Sequence, residues 1–261
     1  MGTFRHLDER DKMQEIELSG SNIDYITKEE LMDVLGNRKP SEMLDLSHRR
    51  IRDMDLSGMD LSYIDFSCTR FERVDLSGAD MDHDNVSRCF FVDCPMQGVR
   101  LTNAEASDAS FRELDMTGSD FSGTGFYYAA FDYAKLDDVR TDERTKWFSD
   151  AVPKEGAFIC WKVGANYRVI QLLVPAEAGR ACATSEAGRA EYAKVLSITD
   201  IDRTIDYTWD TAMVDHDFMY EVGKYVYTDN GFTDYPWIED APGLHFFMDR
   251  DMAIAFGTGN Y

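Results

Sequence analysis

A square coil of twenty residues per turn, followed by a separate α+β domain, is the fold this sequence predicts. Three observations predict it. From Leu46 to Leu136 every fifth residue is apolar. A second column, two residues before each of these, is mostly apolar or small. Gly58, Gly78, Gly98 and Gly118 recur at intervals of twenty.

The five-residue column runs Leu46, Ile51, Leu56, Leu61, Phe66, Phe71 and on through Phe126 and Phe131 to Leu136. All nineteen positions are apolar in a chain that is 44% hydrophobic, so the pattern is not compositional. Neither a helix of period 3.6 nor a strand of period 2 produces it. A chain that turns a corner every five residues does, and four corners close a coil of twenty with two inward residues per side. The glycines mark one edge of that coil, where a corner needs positive φ. Ile51, Phe71, Phe91, Phe111 and Phe131 then line one face as a ladder.

Before the coil, residues 1–40 form an N-terminal segment with one short helix. In ITKEELMDVLGN, Thr27 is a good N-cap with Glu30 three residues later, and Gly36-Asn37 supplies the stop. Arg38-Lys39-Pro40 reads as a linker. The first 25 residues are weakly patterned.

The coil occupies residues 41–140, and the period is clear from Leu44. Here the sequence resembles the pentapeptide-repeat family, whose motif is A(D/N)LXX. ADM at Ala79–Met81, VDL at Val74–Leu76, IDF at Ile64–Phe66 and SDF at Ser119–Phe121 carry the resemblance over about 95 residues. It implies a right-handed quadrilateral β-helix, a pentapeptide-repeat solenoid with coils stacked at about 4.8 Å. Nearly five coils give a prism of roughly 23 Å. Two residues break the pattern. Asp84 sits in the second, inward column, where an unpaired carboxylate costs several kcal/mol. Pro95 lacks a backbone donor. A local bulge is expected from His83 to Pro95.

Residues 141–261 lose the period. Phe158–Trp161 and Tyr167–Val174 read as two strands joined by a turn at Gly164-Ala165-Asn166, RAEYAKVLSI as a further strand, and Met248–Phe256 as a final short helix. This α+β domain, through EGAFICWKV, VPAEAGRACATSEAGRAEYAKVL and APGLHFFMDRDMAIAF, resembles an uncharacterised domain that often follows pentapeptide repeats in bacteriophage proteins. In that family the segment after Arg180 reads closer to SSAT, and a cysteine stands where Gly188 is here. The resemblance brings no activity with it.

Charge narrows the function classes. The net charge is -22, from 49 acidic and 27 basic residues, and residues 41–140 hold 20 acidic against 10 basic. Direct nucleic-acid binding needs a basic surface that this chain does not offer. No stretch reaches the roughly 18 apolar residues of a membrane span. The N-terminal MGTFRHLDERDK has no apolar run of a secretion signal, so a cytoplasmic chain with reduced thiols is expected.

Few residues suggest catalysis, and neither an enzyme nor a cofactor is expected. Cys160, Cys182 and His245 could form a thiol–imidazole pair if the fold joined them, or be ordinary core residues. Arg180, Arg189 and Lys194 could hold an anion or form a solvated face. Asp82, His83, Asp84 and Asn85 are metal ligands by residue type only; no metal site is expected.

The repeat surface is the better candidate. On the square coil Asp45 and Asp65 line one side, Asp55, Asp75 and Asp115 a second, and Asp60, Asp80 and Asp120 a third. The fourth carries Arg50, Arg52, Arg70, Arg73 and Arg112. A net charge of -10 over roughly 23 Å approaches the density of duplex DNA, and the resemblance implies mimicry of that duplex, as taken for some family members. The expectation is a non-enzymatic, phage-encoded inhibitor. Asp55, Asp60, Asp75, Asp80, Asp115 and Asp120 would dock on the basic surface of a DNA-binding or defence protein in the host cytoplasm. The C-terminal domain would set partner choice or homodimerisation. In the competing reading that domain is an enzyme or ligand-binding module and the repeat is a rigid spacer. The aspartates could also simply bond the turn backbone.

Overall fold

The computed structural model describes residues 25–39, 42–228, 231–238 and 241–260. Residues 1–24 and Pro40, the end of the expected linker, lie outside the described residues. The chain divides into two compact units. One ends at Thr124 and takes back Ala134–Arg144; the other holds Gly125–Tyr133 and the chain from Thr145 onward.

In the first unit, α1 (Lys28–Gly36) starts where the capping residues place it. Thr27 accepts from the Glu30 amide at 3.2 Å, and the Thr27 amide donates to Glu30 Oε2 at 2.8 Å. Asn37 ends the helix with its side-chain amide, which donates to the Asp33 carbonyl at 2.8 Å. Just before α1, the Ile26 amide donates to Arg50 O at 3.2 Å, so the chain covers part of the open strand edge of the first coil.

The coil strands are β1 (Leu44–Asp45), β2 (Arg50–Asp55), β3 (Ile64–Asp65), β4 (Arg70–Asp75) and β5 (Phe90–Val92). Their pairing is parallel and always twenty residues apart. Ile51 lies opposite Phe71, Phe71 opposite Phe91, Asp45 opposite Asp65 and Asp55 opposite Asp75. Isolated bridges extend the same interval through Asp80↔Arg100 and Arg100↔Asp120.

The corner geometry is stricter than the glycine pattern suggests. Every fifth residue from His48 to Asp138 has φ between 52° and 75°, and most of them are not glycine. Glycine occupies 58, 78, 98 and 118 on the expected edge, but Tyr63, Arg73, His83 and Glu113 adopt the same left-handed state. Each non-glycine corner costs on the order of 1–2 kcal/mol, offset by burying the column behind it. That column is buried from Leu46 through Phe131, while Leu136 is half exposed. Phe71, Phe91 and Phe111 stack at centroid separations of 4.9 and 5.2 Å, as the ladder predicts.

The expected bulge from His83 to Pro95 is absent. The rungs His83 N–Thr102 O (2.9 Å), Asn85 N–Ile64 O (3.0 Å) and Leu76 N–Pro95 O (2.8 Å) all form. Asp84 stays inside, 2% exposed, because its Oδ1 accepts the Ile64 amide of the preceding coil at 2.7 Å. Pro95 can still serve as an acceptor, and the ladder passes through it.

The second unit is built on strands β6 (Phe158–Val163), β7 (Val169–Val174), β8 (Arg180–Cys182), β9 (Ala187–Ala190), β10 (Tyr192–Thr199), β11 (Asp206–Tyr207), β12 (Trp209–Thr211), β13 (Met219–Glu221), β14 (Tyr225–Tyr227) and β15 (Leu244–Phe247), with α2 at Arg250–Thr258. Its main sheet has eight antiparallel strands in the order β11-β10-β7-β6-β15-β9-β8, with β14 also on β10. The β6–β7 hairpin turns at Gly164, whose amide donates to the Arg168 carbonyl at 2.9 Å, where the turn was expected. The strand expected in RAEYAKVLSI is split at Glu191 into β9 and β10, which serve different neighbours. Alternate residues of β7 and β10, such as Leu172, Val174, Ala193 and Val195, fill a core with Cys160, Tyr220, Leu244 and Phe246. A side chain at Gly188 would meet the Phe246 ring and Val152 at 2.6 Å, so the packing here has room only for glycine. The final helix forms as expected, capped by Asp249 and closed by Gly259 at φ 72°. Among the described residues, no helix is long and apolar enough to cross a membrane.

Candidate functional site

The repeat fixes each candidate aspartate by one local device. Asp55 Oδ1 accepts from the Ser57 amide at 3.0 Å and its hydroxyl at 2.6 Å. Asp60 does the same with Ser62, Asp115 with Thr117 and Asp120 with Ser122. Asp75 accepts the Ser77 amide at 2.9 Å and Asp80 the Asp82 amide at 3.1 Å. Such turns suit a following corner of positive φ, so these aspartates have a folding role regardless of any partner.

Beyond that role the six differ. Asp80 forms a two-point ion pair with Arg100, at 2.9 and 2.8 Å. Asp60 is paired with Arg38, and Asp115 with Lys135 at 3.4 Å. Asp55, Asp75 and Asp120 form no ion pair among the described residues. The Arg38 and Ser62 hydrogen bonds lower the Asp60 pKa to about 2, and the Thr117 bonds lower that of Asp115 to about 2. The Ser57 bonds hold the Asp55 pKa below its ordinary value.

The side expected to be uniformly acidic through Asp60, Asp80 and Asp120 is mixed. Its stacked residues are Asp60, Asp80, Arg100, Asp120 and Arg140, so Arg100 separates Asp120 from the adjacent Asp60 and Asp80. The in-register acidic pairs Asp45–Asp65 and Asp55–Asp75 differ from Asp60–Asp80 in forming no ion pair among the described residues. On the arginine-bearing side, Arg73 binds Asp53 at 2.7 and 2.9 Å, Arg70 binds Glu72 at 2.6 Å, and Arg52 lies 4.1 Å over the Tyr25 ring.

The other candidates are taken up by structure. Burial raises the pKa of the Cys160 and Cys182 thiols, both of which pack in the core of the second unit, and that suppresses thiolate formation. His245 lies opposite Arg189 in the sheet, its Nε2 3.1 Å from the Ala241 carbonyl. Arg180 donates to the carbonyls of Pro175 (2.6 Å), Ala176 (2.8 Å) and Gly156 (2.5 Å), with its guanidinium over Phe158. Arg189, 3% exposed, holds the carbonyls of Tyr235 and Ile238. Lys194 sits between Leu173 and Tyr225 on β10. The two arginines therefore fasten loops to the sheet, a role that residue type alone did not reveal.

Asp82, His83, Asp84 and Asn85 do not converge. Asp82 binds His83 at 2.8 Å and Asn103 at 3.1 Å, His83 stacks on Tyr63, Asn85 caps Ser87, and Asp84 faces inward. Among the described residues no group of three His, Cys, Asp or Glu side chains is placed to hold a metal.

These features agree with the family comparisons. Residues 64–141 match the model of the pentapeptide repeat region. Residues 148–253 match a family of unknown function (DUF5758). Solved structures with similarity include the pentapeptide repeat protein Rfr23 of the cyanobacterium Cyanothece 51142, at 13% identity over 44% of this chain and 97% of that one, with a TM-score of 0.28. A pentapeptide repeat protein of the Arabidopsis thaliana thylakoid lumen is similar at 19% identity, over 46% and 77%, with a TM-score of 0.32. QnrB1, a plasmid-mediated fluoroquinolone resistance protein, is similar at 15% identity, over 42% and 70%, with a TM-score of 0.20. No curated protein matches this chain.

Proposed function

We propose that this protein is a non-enzymatic, phage-encoded docking protein of the host cytoplasm, whose right-handed quadrilateral β-helix presents an acidic face to the basic surface of a nucleic-acid-handling protein and blocks it. The observation that supports this reading is the register of Asp55 opposite Asp75. Two carboxylates, each held by its own serine turn, are carried at the coil spacing of about 4.8 Å. Their geometry is set before any partner arrives, so little ordering cost opposes association. Asp45 and Asp65 repeat the arrangement ten residues, or two corners, away on the opposite side of the coil. The C-terminal unit would choose the partner or form a homodimer.

The test is competition with the ligand being imitated. A basic DNA-binding protein captured by the full chain should be released by duplex DNA and by salt. Captured proteins that resist both would shift the function to the C-terminal unit, because a pocket depends far less on ionic strength.

A further inference from the structure

We infer that Asp84 is a neutral carboxylic acid in the folded protein and fastens two successive coils by accepting one hydrogen bond and donating another. Its column supplies the comparison. Thr69 occupies the same inward position, where its hydroxyl accepts from the Arg49 amide twenty residues back at 3.1 Å and donates to the Leu46 carbonyl twenty-three residues back at 2.8 Å. Cys89, Ser119 and Thr124 repeat the second bond, to the carbonyls of Phe66, Met96 and Leu101, each again twenty-three residues back.

Asp84 makes the first of these bonds, from the Ile64 amide twenty residues back at 2.7 Å. Its Oδ2 is buried and has no partner. The column places the Leu61 carbonyl, twenty-three residues back, in the position of the second acceptor. A carboxylate cannot donate to a carbonyl, whereas a carboxylic acid can. One proton therefore satisfies an otherwise orphaned buried oxygen.

The charged surroundings favour that proton. Asp80 and Asp82, on the same turn of chain, face Asp84 with negative charge, and Cys89 follows in the next inward position. The basic groups nearby are engaged elsewhere: Arg100 with Asp80 and Asp82, Arg38 with Asp60, and the His83 ring in a hydrogen bond with Asp82. Burial, reinforced by Asp80 and Asp82, raises the Asp84 pKa to about 9, against the opposing effects of the Ile64 bond and Arg38.

The sign follows from the direction of the shift. An unfolded aspartate ionises near pH 3.9, and the folded one far above it. The stability that Asp84 contributes is complete below the unfolded value and is lost progressively as pH rises to about 9. Above that pH the loss levels off. The coil is thus held by a proton that alkali removes.

The experiment uses the full chain and Asp84→Thr, the residue this column already accommodates at positions 69 and 124. Infrared spectra at pH 7 should show a protonated-carboxyl band in the parent that is missing from Asp84→Thr. The variant's gain in melting temperature should be small near pH 4 and grow up to about pH 9. The absence of a protonated-carboxyl band from the parent at pH 7, or a gain independent of pH, overturns the inference. If Asp84→Thr does not fold, disappearance of the parent's band on titration through pH 9, with the fold retained by circular dichroism, supports it, and a parent without the band overturns it.

Discussion

Asp55 lies in register with Asp75 across adjacent coils, and each carboxylate holds the amide of the serine two residues on. The same side chain serves the fold through one oxygen and, in the docking proposed above, would carry charge for a partner. Substitution can separate the two duties. Asn at 55, 75 and 115 keeps the turn acceptor and removes the charge, so the fold should be retained, with the melting temperature lowered only by the charge-assisted part of the turn bonds and the exposed Asp115–Lys135 pair. Partner binding should fall sharply at low salt, and the slope of log Kd against log salt should flatten. A triple variant that binds like the parent would falsify the docking reading.

The aromatic ladder should dominate the stability of the coil. Phe91 stacks between Phe71 and Phe111 at 4.9 and 5.2 Å and is almost wholly buried. Phe91→Ala should cost about 3–5 kcal/mol, because rungs above and below keep the gap from collapsing. Ser57→Ala, losing one exposed hydroxyl bond to Asp55, should cost far less in the same denaturant titration.

These residues also show what was legible in the sequence. The five-residue column, the Thr27–Glu30 capping pair and the Gly164 turn are local or strictly periodic signals, and the structure follows each. The Asp80–Arg100 pair was readable only once twenty was treated as a contact distance as well as a period. The inward place of Asp84 is legible, but the regular coil around it is not, because residue type gives the cost of a buried carboxyl without showing the Ile64 amide that meets it. The clamps made by Arg180 and Arg189 join segments up to 49 residues apart, with no periodicity to announce them. Positive φ at Tyr63 or Arg73 was hidden for a related reason: tertiary stacking overrides a local preference that only glycine displays.

Glycine at the corners should matter by conformation alone. A Cβ added at Gly58 or Gly78 meets nothing within 4 Å, yet φ is 64° and 66°. Gly58→Ala should cost about 1 kcal/mol, and Gly58→Asn, a residue tolerant of that region, less. Equal losses for Ala and Asn in chemical unfolding would place the cost outside the backbone.

Acid should weaken the coil through different carboxylates from Asp84. The pKa values of Asp60 and Asp115 are lowered to about 2, so the stability they contribute is present above their unfolded value near 3.9 and disappears as pH falls toward 2. The parent's melting temperature should drop over that window. Asp60→Asn should drop less than the parent, because its partner Arg38 has no carboxylate left to lose. A parallel fall in both proteins would show that the Asp60–Arg38 pair is not a source of the acid sensitivity.

Arg180 offers the clearest test of whether the C-terminal unit uses its arginines for structure or for ligands. Its guanidinium reaches carbonyls at Gly156 on one segment and at Pro175, Ala176 and Ala178 on another, while lying over the Phe158 ring. Arg180→Met keeps much of the apolar stem and removes every donor, leaving several carbonyls to find water. The expected loss is roughly 1–3 kcal/mol. Arg180→Lys should recover only part of it, because an ammonium cannot span both segments in one plane. An anion site predicts otherwise: phosphate would stabilise the parent beyond its ionic-strength effect, and Arg180→Met would abolish that gain. With the guanidinium already occupied by carbonyls, melting of the parent in phosphate and in chloride at matched ionic strength should coincide.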